Sequence, residues 1–176
     1  MDLRFVAPEL RQLDVITTEI IVVPVSELDR PPQGTTGLID YRLGGQISRL
    51  IAQNTVSGSV GQIHLIPGRP RLPFDRVLLL GQGDPAQFNV QIYTRVVEQL
   101  LGTLQHLGAR RAVVELPGRR DGSISPSDAV EILLELTKDN PWFDTWTLIE
   151  PLSAQRAMGE LLRRDQRQKW VLGPSG

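Results

Sequence analysis

Cysteine does not occur in the 176 residues, so disulfides and thiolate metal sites are excluded. Lysine is nearly absent: of the 19 basic residues only Lys138 and Lys169 are lysines, and the rest are arginines. Two origins give that bias, a GC-rich coding sequence or a surface built for planar, bidentate contacts to carboxylate and phosphate. Clustering of the arginine pairs at 110–111, 119–120 and 163–164 would mark the second. An excess of either charge is also missing. The formal net charge is −1, which gives no general attraction to nucleic acid or anionic lipid, so nucleic acid is not an expected partner. No apolar run approaches the roughly 20 residues of a membrane helix. The N-terminal MDLRFVAPELRQLD places acids and arginines where a signal peptide has its apolar core. A cytoplasmic protein with no membrane partner is expected.

What is present reads as one domain over 1–169 with a tail at 170–176, and a chain of this size buries roughly 70% of its unfolded surface. Leu3–Ala7 alternates as an edge strand. Ile20-Ile21-Val22-Val23-Pro24-Val25 is a β-branched run buried on both faces, ended by Pro31, Pro32 and Gly34. Residues 37–53 have a helical spacing interrupted by Gly44-Gly45. Strands are predicted over 60–66 and 76–80. Asn89–Leu107 is the clearest helix, with Tyr93, Val96, Val97, Leu100, Leu101, Leu104 and Leu107 on one stripe and Gly108 at C′. A strand over 111–116 follows. Ser125 is read as an N-cap, with Pro126 at N1 and Asp128 at N3. A strand over 143–150 and a last helix capped by Ser153 complete the chain. Strands alternating with helices of this length give an α/β fold with a mixed, largely parallel sheet.

The run from Asp14 to Gly83 carries a resemblance. IIVVPV, GLIDYRLGGQISRLI, VSGSVGQIHLI and VLLLGQG follow one another in that order, with the helix over 89–107 and RRAVVEL after them. Together they resemble the N-terminal, macro-like domain of the leucyl (cytosol) aminopeptidase family over roughly residues 10–140. The resemblance implies a three-layer α/β/α architecture of the macro-domain kind. In that family two divalent metals act in a second domain, whose hallmark is an Asn-Thr-Asp-Ala-Glu-Gly-Arg-Leu string. That string does not occur here. No catalytic residue is therefore carried over; no metal or cofactor is expected, and an enzyme on this chain alone is not expected.

Macro domains bind ADP-ribose with loops beyond the carboxyl ends of their strands, and ligands gather there in open α/β sheets generally. Three loops qualify: Gly34-Thr35-Thr36-Gly37 before a helix, Gly81-Gln82-Gly83 after a strand, and Gly118-Arg119 after another. Asp40 is the acid inside the loop-helix segment and either touches a ligand or caps local N–H groups. Neither a Walker A loop nor a full Gly-x-Gly-x-x-Gly is present. His64 and His106 lack partners at metal-ligand spacing and read as structural. Trp142, Trp146 and Trp170 fall in the last third. Trp142, Phe143 and Trp146 cannot share one face of a strand, so one of them is a candidate interface anchor. The expected function is a non-catalytic module that binds a protein partner or itself. The alternatives are a macro-like binder of a small phosphate-containing ligand such as a nucleotide or ADP-ribose, and a nucleic-acid-binding regulator.

Overall fold

A computed structural model describes residues 1–172, with side chains through Arg164. The elements are β1 (Asp2–Val6), α1 (Leu10–Leu13), β2 (Thr18–Ser26), α2 (Gly34–Arg42), α3 (Gln46–Ala52), β3 (Ile63–Pro67), β4 (Phe74–Gly83), α4 (Val90–His106), β5 (Arg111–Val114), α5 (Pro126–Thr137), β6 (Thr145–Ile149) and α6 (Leu152–Leu172). The strands form one sheet in the order β1-β6-β5-β2-β4-β3. Every neighbouring pair is parallel except β3, which runs antiparallel to β4 at the edge. No helix among the described residues is long and apolar enough to cross a membrane.

The sheet is covered on both sides, and the central strands show it residue by residue. Ile20, Val22, Leu78 and Leu80 face a core built with α4, α5 and α6, through Leu100, Leu133 and Met158 among others. Ile21, Val23, Val25, Val77 and Leu79 face a second core built with α1, α2 and α3, through Leu13, Ile39 and Ile47. A strand with helices on both faces has no solvent side, so its sequence is apolar without alternation.

The long helix α4 starts where Asn89 accepts from the N–H groups of Gln91 (3.0 Å) and Ile92 (3.1 Å). The Ser125 cap on Asp128 N–H and Pro126 at the first position of α5 stand as expected. Three readings are corrected. The helical stretch at 37–53 is two helices, and the first begins at Gly34, so Gly34-Thr35-Thr36-Gly37 is a helical first turn rather than a loop. Ser153 lies inside α6 and does not cap it. Trp170 begins no tail, because α6 continues to Leu172; its side chain, and residues 173–176, lie outside the described residues.

Candidate functional site

Five parallel strands end on one side of the sheet, and there the central pair separates. β5 pairs with β2 up to Val114↔Val22, and the Glu115 N–H then donates to Val22 O at 3.0 Å. β2 runs on beside β4 to Ser26. The chain leaves β2 toward α2 on one face and leaves β5 toward α5 on the other. Divergent connections of this kind open a crevice at the carboxyl ends of the strands. Pro24 has no N–H for a partner there, and its carbonyl accepts from the Thr36 hydroxyl at 2.7 Å, which ties the start of α2 to β2.

A cavity of about 200 Å³ occupies the crevice, walled by Thr35, Glu115, Arg119, Arg120, Ile149 and Glu150. Two ion pairs frame it. Arg119 holds Glu150 through two bonds, Nε to Oε1 (2.9 Å) and Nη2 to Oε2 (3.1 Å), and Nη1 donates to Ile124 O. This pair is almost sealed from solvent, with the side chains 8% and 1% exposed. Arg120 Nη2 donates to Asp29 Oδ1 at 2.8 Å and Nη1 to Gln33 O at 3.1 Å. Asp29 is itself fixed by the Ser26 N–H on Oδ2 (2.8 Å), so the turn after β2 aims the carboxylate at Arg120.

Glu115 is the third acid and has no such partner. It is 6% exposed, and its Oε2 is buried without a hydrogen bond. Thr35 lies beside it, fully buried, and its hydroxyl has no partner beyond the Glu115 carboxyl. Burial pushes the Glu115 carboxyl up to about 7; a hydrogen bond from the Thr35 side chain and the charge of Arg120 favour the charged form, and Glu150 and Asp29 oppose it. Burial also raises Glu150, against the pull of Arg119. Tyr93, beneath this end of the sheet, is held protonated by burial and donates to Ala129 O at 2.8 Å.

Of the residues singled out from sequence, Gly34, Thr35 and Arg119 meet at this cavity. Gln82 and Gly118 stand behind it: Gln82 Oε1 accepts from Gly118 N–H (3.0 Å) and Nε2 donates to Asp121 (3.1 Å), which braces the loop bearing both arginines. Gly118 has φ +70, and a Cβ there would meet Phe88 at 2.3 Å. Gly81 is a packing residue, since a Cβ would lie 2.0 Å from Ser59 O, and Gly83 donates to Gly58 O at 2.7 Å in the same contact. Gly37 donates to Gln33 O within the first turn of α2. Thr36 is spent on Pro24.

Asp40 lies away from the cavity and caps α3: Oδ1 accepts from Ile47 N–H (2.7 Å) and Ser48 N–H (3.1 Å). Asp40→Ala strips those two bonds and the one that the Ser48 hydroxyl donates to Oδ2. It should lower stability by about 1–2 kcal/mol in urea titration while leaving the resonances of Glu115 and Arg119 in place. His64 sits on β3 with its Nε2 buried and unpaired, and His106 Nδ1 lies 2.6 Å from Gly102 O on α4. Trp146 is a core side chain at 0% exposure, edge-to-face on Phe143 with ring centroids 5.4 Å apart, which removes it as an exposed anchor. Both faces of β6 are covered, so the alternation of its side chains gives no exposed aromatic. Trp142 is partly buried and carries Arg110 over its ring at 5.3 Å. The arginines at 110, 119 and 120 are each paired, with Asp144, Glu150 and Asp29, and form no free cationic patch. Among the described residues no three His, Asp or Glu side chains converge to hold a metal, so the two metals of the resembled family have no fitting ligand set here.

The acids at 29, 115 and 150 escaped the reading of motifs. Their signal was position: Glu115 and Glu150 each end an apolar strand, AVVEL and TWTLIE, where an acid interrupts a buried run.

The model described as the N-terminal domain of the cytosol aminopeptidase family matches residues 22–142. A probable cytosol aminopeptidase of Pseudomonas fluorescens is 32% identical over 103 residues, covering 58% of this chain and 21% of that protein. The chain thus spans about a fifth of the length of the curated relatives it matches. Among solved structures, a tomato leucine aminopeptidase mutant superposes with a TM-score of 0.63 at 14% identity, covering 90% of this chain and 35% of that one. The Trypanosoma brucei macrodomain in complex with ADP-ribose gives 0.70 at 17% identity, covering 91% and 68%.

Proposed function

The chain belongs to the cytosol aminopeptidase family through its N-terminal domain, and from that premise we propose that it is a non-catalytic, cytoplasmic binding domain whose crevice at the strand ends takes a small ligand. One observation carries the reading. Glu115, a buried acid with no ion-pair partner among the described residues, stands beside Thr35 on the wall of a cavity of about 200 Å³, and its Oε2 makes no hydrogen bond. An unsatisfied buried polar group costs about 1–3 kcal/mol, and native proteins keep few of them without a use. A ligand that pairs with the Glu115 carboxyl would recover that loss. The surrounding ion pairs and the Gln82 brace hold the walls in place before the ligand arrives, which reduces the ordering penalty of binding.

Amide chemical shifts of the labelled protein test this against a panel of small amines, alcohols, nucleosides and ADP-ribose, the last because a structural neighbour is complexed with it. Saturable shifts centred on Thr35, Glu115, Arg119 and Ile149 are the expected result. Shifts confined to other surfaces, or none from any compound, would overturn the reading. The assembly reading retains one observation, the partly exposed Trp142 with Arg110 stacked on it beside α5. Light scattering on the same sample bears on it: a defined oligomer with Trp142 shifted on dilution would bring it forward.

A further inference from the structure

The hydrogen-bonding capacity left over in the crevice has a sign. Arg119 spends all three guanidinium nitrogens on Glu150 and Ile124 O. Arg120 spends its two terminal nitrogens on Asp29 and Gln33 O. Both guanidiniums keep further N–H groups, but each charge is already matched by a carboxylate; the acid without a cationic partner is Glu115, whose Oε2 makes no hydrogen bond. Three carboxyl groups, Asp29, Glu115 and Glu150, stand against two guanidiniums, so one negative charge is uncompensated when Glu115 is ionised. The rest of the wall is apolar, from Pro8, Ile149 and Pro151. A phosphate would add negative charge where the carboxyls already outnumber the guanidiniums, and the Arg119 pair is almost dry. A cation displaces at most the Glu115 proton.

We propose that the crevice selects a small organic cation, an ammonium or amidinium on a compact apolar body, with Glu115 as its counter-ion. The proposal rests on the reading of this crevice as a ligand site and adds its chemistry. An ammonium N–H donates to the Glu115 carboxylate and gives the buried acid the charge partner it lacks. The apolar body lies against Ile149 and the two prolines. The other charged groups facing Glu115 are Arg120, Glu150, Asp29 and Arg119, and each already has its partner. Binding is therefore linked to a proton. The Glu115 carboxyl, raised by burial to about 7, must ionise to hold the cation, so affinity falls as pH drops below that value. Between pH 8 and pH 6 the ionised fraction of such a group falls about tenfold, and the affinity with it.

Benzylamine, benzyl alcohol and ADP-ribose, titrated separately into the full chain at pH 8 and pH 6, test the class by calorimetry and amide shifts. Benzylamine should bind at the crevice about tenfold more tightly at pH 8, and Glu115→Gln should remove both the binding and its pH dependence. If benzyl alcohol binds as well as benzylamine, or ADP-ribose moves the crevice amides and benzylamine does not, the crevice is a ligand site and the cation proposal is wrong. If no probe moves those amides, both fall. The comparison of the two benzyl compounds on the unaltered protein stands whether or not the variant folds.

Discussion

Replacing Arg119 with methionine is expected to lower stability by about 3–5 kcal/mol at pH 8, the largest loss of any single change at the crevice. The reason is what the substitution leaves behind. Glu150 is 1% exposed, and both of its carboxylate oxygens are held by Arg119 alone. Methionine fills much of the volume but neutralises nothing, so a carboxylate stays in the dry interior without a counter-charge. Arg119→Lys should recover only part of the loss, because a single ammonium does not reproduce the two parallel bonds. The penalty also has a pH signature. Burial already raises the Glu150 carboxyl, with Arg119 holding it down. Without Arg119 it rises further, so the extra destabilisation is full where Glu150 would be charged and fades as falling pH protonates it. Urea titrations at pH 8 and pH 5 should show the gap between the two proteins narrowing at the lower pH. Adding Glu150→Met to Arg119→Met should restore most of the stability, as the second substitution removes the stranded charge. A single variant as stable as the parent at pH 8 would mean that the pair is wetter than its burial implies.

The fold was legible where local rules and tertiary packing agree. The stripe from Tyr93 to Leu104 shows the 3.6-residue period because α4 buries one face. Ile20–Val25 lacks alternation because β2 is covered on both faces. Gly34-Thr35-Thr36 misled because none of these residues favours a helix. Their helical turn is imposed from outside, by the Thr36 bond to Pro24 O. Trp146 misled for a related reason, since alternation separates faces without saying which of them is wet. The crevice was half legible. Its place, beyond the strand ends, follows from an alternating β/α order. Its chemistry does not, because Thr35 meets Glu115, and Asp29 meets Arg120, only once the sheet order sets β5 between β6 and β2. The arginines that suggested phosphate were visible in the sequence. The acids that spend them were too, but nothing local pairs Arg119 with a glutamate 31 residues away.

Glu115→Gln should have the opposite effect, raising stability by about 3 kcal/mol at pH 8 and leaving it unchanged at pH 4. Unfolded, the Glu115 carboxyl ionises near its ordinary value of 4.5; folded, burial pushes it to about 7. Between those values the native state binds more protons than the unfolded state, so rising pH destabilises the fold through this group. The loss accumulates from about pH 4.5 to 7 and is complete above that range. A glutamine of nearly the same shape cannot ionise, so it never incurs the loss. The melting temperature of the variant should exceed that of the parent by about 5–10 °C at pH 8, and the two should coincide at pH 4. A variant less stable than the parent at pH 8 would show that the carboxylate already has a partner, and the case for a vacant counter-ion would go with it. If the gain appears, the chain keeps at position 115 a residue that makes it less stable, where a neutral isostere would serve the fold better. Selection for stability alone does not keep a buried, unpaired charge. A requirement for that charge at the mouth of the crevice does.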